Sequence, residues 1–302
     1  MSPATPSSTV RPLVTVATLI GHRDAAMAVT CLGSLVDCSR QPLRFRVHDD
    51  GSLDASDKAQ LAARLGAVEF MDRAAADAAM ASRLAKYPFC QRMRERHILG
   101  LKLFDVPLLC GEKETAFCDS DILFLRPFED LFAWPDDRTG CLFMQDWQEA
   151  HSIRPWHLLP GSGIRLPQRF NSGLFFLRQS RYDLAVIEEL LARDCPVFQR
   201  LPQWLEQTCW GHFAMRADGR FWSGRQICAV RFPESLTDEL VAGHFTSSVR
   251  GLLPAAQEKV RRDRAPVRIA TEAMAPLGAW RLARATLVRF LRTRYPARFG
   301  GW

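Results

Sequence analysis

TAFCDSDILFLRP, residues 115–127, decides the fold. Residues 115–118 and 122–125 are strand formers, and between them stand two carboxylates, Asp119 and Asp121, separated only by Ser120. In extended backbone alternate side chains share a side, so both acids are expected to face the same way. Two like charges so close repel unless a cation lies between them, and a divalent ion with oxygen ligands is the usual partner. A solvated turn also accommodates an Asp-x-Asp triplet, but these acids are flanked on both sides by apolar residues, where uncompensated charge is expensive. The stretch therefore reads as a metal clasp at the end of a buried strand. Arg126 and Pro127 end the extended run, because proline supplies no ladder donor.

A chain of 302 residues, 47% hydrophobic and 24% charged, can bury one large core. Its formal charge of +7 is concentrated at the carboxyl end. From Lys259 onward eleven Lys or Arg face two acids, Asp263 and Glu272, and the remainder is slightly acidic. Nine cysteines without a C-x-x-C pair, in a chain too large to need stapling, read as reduced, mostly buried thiols. The first apolar run is too short to span a bilayer and lacks a signal peptide's cleavage pattern. These features point to a cytoplasmic protein.

Towards the amino end, residues 13–20, LVTVATLI, resemble a strand buried on both faces of a mostly parallel sheet. His22, Arg23 and Asp24 follow Gly21 at its carboxyl end, where open α/β sheets bind ligands; helix capping by Asp24 explains the same turn. Residues 43–48 alternate as a second strand and run into Asp49, Asp50, Gly51 and Ser52. A carboxylate there can accept from ribose hydroxyls, with at least one of the two acids serving the turn. With a helix over 55–65 and a third strand over 67–70, the order is that of a doubly wound α/β half. A basic helix with Arg92, Arg94, Arg96 and Lys102, ending near Leu109, leads into the clasp. Arg92 and Arg96 share one of its faces, which suits an anionic partner or a solvated surface.

Towards the carboxyl end, residues 140–145 form another strand. The loop over 148–169 follows Trp147 and holds His151, Trp156 and His157; its aromatic faces suit sugars or simple packing. FNSG, residues 170–173, precedes a short strand over 174–177, with Asn171 and Ser172 as a hydroxyl-reading corner and Gly173 permitting close backbone approach. Helices over 182–193 and 203–213 follow, the second carrying Glu206 and Gln207, and then a strand over 227–231. His244 ends a short apolar run, with Arg250 six residues on; a lone histidine is more often structural than a ligand.

Taken in order, LVTVATLI, VHDDGSL (47–53), the basic helix, FCDSDILFLRP (117–127), FNSGLFFL (170–177), LEQTCW (205–210) and GHFTSSVR (243–250) resemble the nucleotide-sugar-dependent glycosyltransferases of the GT-A fold, in particular their retaining glycogenin-like and galactosyltransferase-like group. The resemblance implies an α/β fold: a mixed, mostly parallel twisted sheet flanked by helices in a single large domain with a C-terminal helical tail. The expected division is a flexible leader over 1–12, a GT-A-like domain over 13–252 and a basic helical extension over 253–302. The resemblance further implies that Asp119 and Asp121 hold a manganese or magnesium ion that bridges the donor diphosphate, with Asp121 the direct ligand and Asp119 sharing the metal or the ribose. His244 is similar to the late histidine that completes the metal shell in a His-x-x-Gly-x-x-Lys pattern. Ser247 here replaces the glycine and Arg250 the lysine, and arginine can still neutralise a diphosphate. By the same resemblance Asn171 reads sugar hydroxyls, Glu206 and Gln207 stand where an Asp-Gln pair approaches the reacting sugar, and Lys102 approaches the donor; His22 and Asp50, from their places after strands, are further expected donor contacts. The donor would be a UDP- or GDP-sugar, and the acceptor a glycan, a lipid-linked group or a protein. A histidine ligand favours a retaining enzyme, whereas inversion needs a carboxylate base, for which Glu206 and Asp146 are available.

Other readings compete. A haloacid-dehalogenase-like phosphatase also places Asp-x-Asp after an apolar strand, but wants Thr or Val two residues past the second acid, where this chain has Leu123. A non-catalytic nucleotide-sugar or anionic-surface binder would use the basic end. No zinc spacing, helix-turn-helix or RNA-binding sequence accompanies that basicity, which argues against nucleic acid. Residues 280–295, WRLARATLVRFLRTRY, contain no acid. On a helical wheel Arg281, Arg284, Arg289 and Arg292 gather on one side, with Leu282, Leu287, Phe290 and Leu291 largely on the other. The helix either docks on the domain with a solvated basic face or draws the protein peripherally to the anionic inner face of a membrane.

Overall fold

In the computed structural model, which describes residues 13–193 and 204–294, the first apolar run becomes β1 (Val14–Ile20), largely buried within a curled, mixed, mostly parallel sheet. The leader expected over residues 1–12 lies outside the described residues. After a short turn come α1 (Ala25–Cys38), β2 (Leu43–Asp49), α2 (Ala55–Leu65), β3 (Val68–Met71), α3 (Arg73–Arg83) and α4 (Pro88–Arg96). β1, β2 and β3 pair in parallel. A π-helical turn (Leu101–Asp105) and one turn of helix, α5 (Val106–Leu108), then precede β4 (Glu114–Cys118), which returns to the other side of β1, again in parallel. Strand order thus reverses between β1 and β4, and in open α/β sheets such a reversal leaves a ligand crevice at the carboxyl ends. Gly21 ends one of these strands and Asp119 the other.

Next come β5 (Ile122–Phe124), β6 (Phe128–Glu129), β7 (Cys141–Gln145), β8 (Phe170–Arg178), α6 (Leu184–Ala192), α7 (Leu205–Ala214), β9 (Arg220–Trp222), β10 (Ile227–Ala229) and β11 (Ala242–His244). The sheet runs β3-β2-β1-β4-β8-β7-β10-β11-β5, with β8 antiparallel to both neighbours. β5 starts three residues after β4 ends, yet it pairs with β11 at the far end of this path, so the sheet curls back on itself. Asp119–Asp121 are consequently a turn, not part of one extended strand; the Ile122 amide donates to the Asp119 carbonyl at 3.4 Å. The two flanking runs are strands, as their residues require, but each is committed to a different partner.

Alternation along β8 divides the core. Phe175 stacks on Phe117, ring centroids 4.9 Å apart, and meets Trp210 at 4.7 Å on the side covered by α4, α6 and α7. Phe176 packs with Phe132 and Trp134 on the α1 and α2 side. Each buried ring contributes about 1.5–3 kcal/mol of apolar burial, so a one-residue slip that exchanged the faces would be strongly disfavoured. That register also fixes where Asn171 and Gly173 point.

Several expectations change. The basic helix breaks after Arg96, where Gly100 is packed so tightly that a Cβ would lie 2.6 Å from the Arg94 Cα. The π-helical turn that follows carries Lys102 inward. Arg94 is buried and forks onto buried Asp105 (2.6 and 2.7 Å), whereas Arg92 and Arg96 are exposed and outside the crevice. FNSG lies inside β8 rather than before it, because β8 extends to pair with β7 across a bulge. The chain does not leave the domain at residue 252. After α8 (Leu253–Gln257), β12 (Val267–Arg268) pairs with β6 and β13 (Thr271–Ala273) adds to β9, so among the described residues the helical extension is α9 (Ala279–Arg294) alone, residues 295–302 lying outside them.

The two sides of α9 are not divided between water and domain as the wheel suggests: Arg284 is exposed, whereas Leu282 is buried. Arg281 bonds to Glu149 (2.6 Å) and Arg289 lies 4.1 Å over the Trp204 ring, while Trp280, Leu287 and Phe290 are 86%, 57% and 60% exposed. The domain offers Arg281 a carboxylate and Arg289 an indole face, and these hold the two guanidinium groups against it. Among the described residues no helix is long and apolar enough to cross a membrane, and the eight described cysteines are unpaired.

Candidate active site

The antiparallel register of β5 and β11 builds the clasp. It sets His244 opposite Ile122, and the Phe245 amide donates to the Asp121 carbonyl (2.9 Å), so the imidazole stands beside the Asp119–Asp121 turn. His244 Nε2 lies 2.9 Å from Asp121 Oδ1 and 3.8 Å from Asp119 Oδ2. Behind the ring, Nδ1 is 3.0 Å from Asn171 Oδ1, which also accepts from the Gly173 amide (2.8 Å); Asn171 Nδ2 donates to Asp146 Oδ2 (2.9 Å). The Gly173 bond fixes which end of the Asn171 amide faces His244, and an oxygen there requires Nδ1 to carry a proton. Nε2 is thereby aimed at the two carboxylates. Gly173 lets the ring in, since a Cβ would lie 2.5 Å from His244 Nδ1.

Two cations flank the turn. Buried Lys102 donates to both oxygens of Asp119 (2.9 and 3.1 Å), lies 3.7 Å from Glu206 and sits 4.8 Å over the Phe117 ring. Arg250 donates to Asp121 Oδ2 (2.9 Å) and Asp24 Oδ1 (3.1 Å). Burial pushes the Asp119 carboxyl above its ordinary range, with Lys102 and His244 opposing only in part. Burial acts the same way on Asp121, but the charges of His244 and Arg250 outweigh it and hold that carboxyl well below the usual range. Burial disfavours the charged form of His244, yet Asp121 and Asp119 more than reverse this and raise its pKa. For Lys102 burial is likewise overcome, chiefly by Asp119 and Glu206.

Asp119, Asp121 and His244 each offer a ligand atom, all within 4.8 Å of one another. Two carboxylates and an imidazole whose other nitrogen is held by an amide fit a divalent ion such as manganese or magnesium. A second group, His22 with Asp54 and Asp57, has its acids committed to the capping box of α2, and His22 and Asp54 are exposed.

The clasp lines a cleft of ≈ 560 Å³ at the β1/β4 crevice, together with Asp50, Asn171, Glu206 and Gln207. Ser172 donates to Glu206 (3.0 Å), and Gln207 pins the loop after β7 by donating to the Ala150 carbonyl (2.8 Å). Asp50 is held by the Ser52 amide (2.9 Å), whereas Asp49 serves the turn, accepting from the Gly51 and Leu53 amides and from Lys58. His22, expected at the donor, is not on this lining: Asp57 at the start of α2 holds its ring at 2.7 Å, outside the cleft. Asp24 makes no side-chain cap for α1 and instead reaches Arg250. Trp204 and Ser248 also line the cleft, and nothing in their local sequence marked them.

No family model and no curated protein matches the sequence. Among solved structures, the galactosyltransferase LgtC in complex with donor and acceptor sugar analogues matches with a TM-score of 0.52 at 12% identity, over 83% of this chain and 98% of that one. Mouse xyloside xylosyltransferase 1 in its apo form matches with 0.51 at 12% identity, over 79% and 99%. The chain has the GT-A fold. In this GT-A chain the Asp-x-Asp turn, the late histidine and the FNSG strand meet at the one crevice where the strand order reverses.

Proposed function

We propose that the chain is a metal-dependent glycosyltransferase that moves a sugar from a UDP- or GDP-sugar to an acceptor with retention of configuration. The observation that carries this reading is the convergence of Asp119, Asp121 and His244, from strands far apart in sequence, on one point beside Lys102 and Arg250. That LgtC was solved with donor and acceptor sugar analogues supports a sugar donor here. A bound manganese or magnesium ion would neutralise developing charge on the leaving diphosphate. Arg250, partly exposed between Asp121 and Asp24, can present its guanidinium fork to the same group. Lys102 keeps Asp119 in place, and Asn171 orients His244. A base for inversion must stand on the sugar face away from the leaving group. Glu206 is tied to the clasp through Lys102, and Asp146 through Asn171 and His244, which supports retention.

Calorimetric titration with UDP and GDP, with and without manganese, tests the reading, and the anomer of the transferred sugar tests retention. His244→Ala is expected to weaken manganese by about 10- to 100-fold. Because ligation needs a neutral imidazole and the neighbouring carboxylates raise the pKa of His244, metal affinity in the wild type should still climb as pH rises past the ordinary histidine value. Unchanged affinity in the variant, or a flat pH profile, removes His244 from the metal shell.

We further place the protein peripherally at the cytoplasmic face of a membrane, through the exposed Trp280, Leu287 and Phe290 of α9. Trp280→Ser with Phe290→Ser should abolish co-sedimentation with anionic vesicles; retained sedimentation overturns this placement.

A further inference from the structure

Beside the donor crevice, α9 and the loop after β7 enclose a second cleft of ≈ 340 Å³, room for about ten water volumes. Arg169, Arg231, Arg281, Arg284, Arg289 and Arg292 line it, and among the described residues the one acid on its lining is Glu149. Glu149 is already committed, its carboxylate accepting from Arg281 (2.6 Å) and from the Arg169 amide (2.8 Å).

Arg281, Arg289 and Arg231 are positioned rather than loose. Arg289 lies over the Trp204 ring and donates to the Glu149 carbonyl. Arg231 stacks on Trp147 and Phe232 at 4.6 and 4.3 Å. Burial lowers the pKa of Arg289, and burial together with the charge of nearby Arg292 does the same for Arg231. Arg292 Nε is buried with no hydrogen-bond partner among the described residues. Arg231 apart, Arg281, Arg284, Arg289 and Arg292 outnumber the single carboxylate on the described lining, and guanidinium groups so gathered repel one another. An anion with several acceptor oxygens would relieve that repulsion and satisfy the unmet donor together.

Trp147 and Gln148 wall both this cleft and the donor crevice. We propose that the arginine-lined cleft is an acceptor subsite for a phosphate or diphosphate group: the bond from the sugar's anomeric carbon to the donor diphosphate breaks, a bond to a hydroxyl oxygen of an acceptor carrying such an anion forms, and the nucleoside diphosphate leaves with the hydroxyl proton. The word acceptor rests on the glycosyltransferase reading; the anion site does not. Phosphate suits the cleft better than a carboxylate, because it brings up to two charges and three strong acceptor oxygens to a surplus of forked donors.

The probe in solution is glycerol 3-phosphate, titrated calorimetrically into the full chain with the donor crevice first filled by UDP and manganese, and again without them. The matched probe on a lipid is phosphatidic acid in neutral phosphatidylcholine vesicles, followed by flotation. Arg284→Gln with Arg292→Gln should weaken phosphate binding by about tenfold or more, while UDP affinity and melting temperature stay as in the wild type. Arg284→Glu, at an exposed position, is the second variant and should act in the same direction. Arginine-dependent binding of glycerol 3-phosphate alone identifies a soluble acceptor phosphate. Arginine-dependent flotation, alone or in addition, identifies a lipid-borne one. Equal binding by variants and wild type, or displacement of glycerol 3-phosphate by UDP, overturns the subsite. If UDP fails to bind while arginine-dependent phosphate binding persists, the transferase reading falls and the anion site stands.

Discussion

Asp121→Asn is expected to abolish manganese-dependent binding of the nucleotide diphosphate, lowering affinity by about 100-fold or more, while the protein stays folded. Asparagine keeps the shape of the side chain and one acceptor oxygen, but it removes the charge that both His244 and Arg250 face. Asp121 is also the main group raising the pKa of His244, so in the variant the imidazole gives up its proton more easily and the site does not retain two unpaired cations. Alanine would be a poorer test. It takes away the shape as well, and breaking a buried ion pair commonly costs about 3–5 kcal/mol. Calorimetry with UDP and manganese, alongside thermal melting, separates lost binding from lost fold. A variant that binds UDP with manganese as the wild type does would remove Asp121 from the donor site.

Lys102→Met should act on stability and catalysis at once. Lys102 is 2% exposed and its ammonium stands between Asp119 and Glu206, so methionine fills its volume and leaves buried Glu206 and part-buried Asp119 without that cation. The expected cost is about 3–5 kcal/mol, which for a domain of this size lowers the melting temperature by roughly 10 °C. If Lys102 also faces the charge that develops on the leaving group, turnover should drop by about 100- to 1000-fold. The pH dependence has a definite sign. Burial already raises the pKa of both Asp119 and Glu206, and removing Lys102 raises them further. A carboxyl whose folded pKa exceeds its unfolded value destabilises the fold above that pKa, and the penalty fades as pH falls through it. The difference in melting temperature between wild type and variant should therefore shrink from pH 8 towards pH 5. A gap that does not change with pH would mean that the carboxylates are not what the lysine serves.

Much of the site was legible in the sequence because single side chains announce their chemistry. Asp119 and Asp121 between apolar flanks, a glycine where backbone must be approached closely, and a histidine at the end of a short apolar run each carried a physical reason. What joins them was not legible. That β5 pairs with β11, not with a neighbour of β4, follows from the curl of the whole sheet, and no local pattern encodes it. Lys102 was marked by charge, but the helix expected to carry it is interrupted, since the close packing of Gly100 on Arg94 is a tertiary contact. His22 misled because its place after a strand suits a ligand contact, while Asp57, reached only through folding, holds it elsewhere. On α9 the wheel grouped the arginines, but which of them the domain holds depended on Glu149 and Trp204, neither of which the helix contains.

The pairing of β5 with β11 makes the cation site a test of chain completion. Residues 14–121, with both aspartates, are synthesised well before residues 242–250 emerge. Until then Asp119 and Asp121 lack the imidazole and Arg250, so fragments ending short of residue 242 would hold the acidic turn without a cation shell. Closing the shell is a contact of large sequence separation, and such contacts form slowly because loop-closure entropy must first be overcome. Under the proposed function, donor loading would accordingly report on late folding.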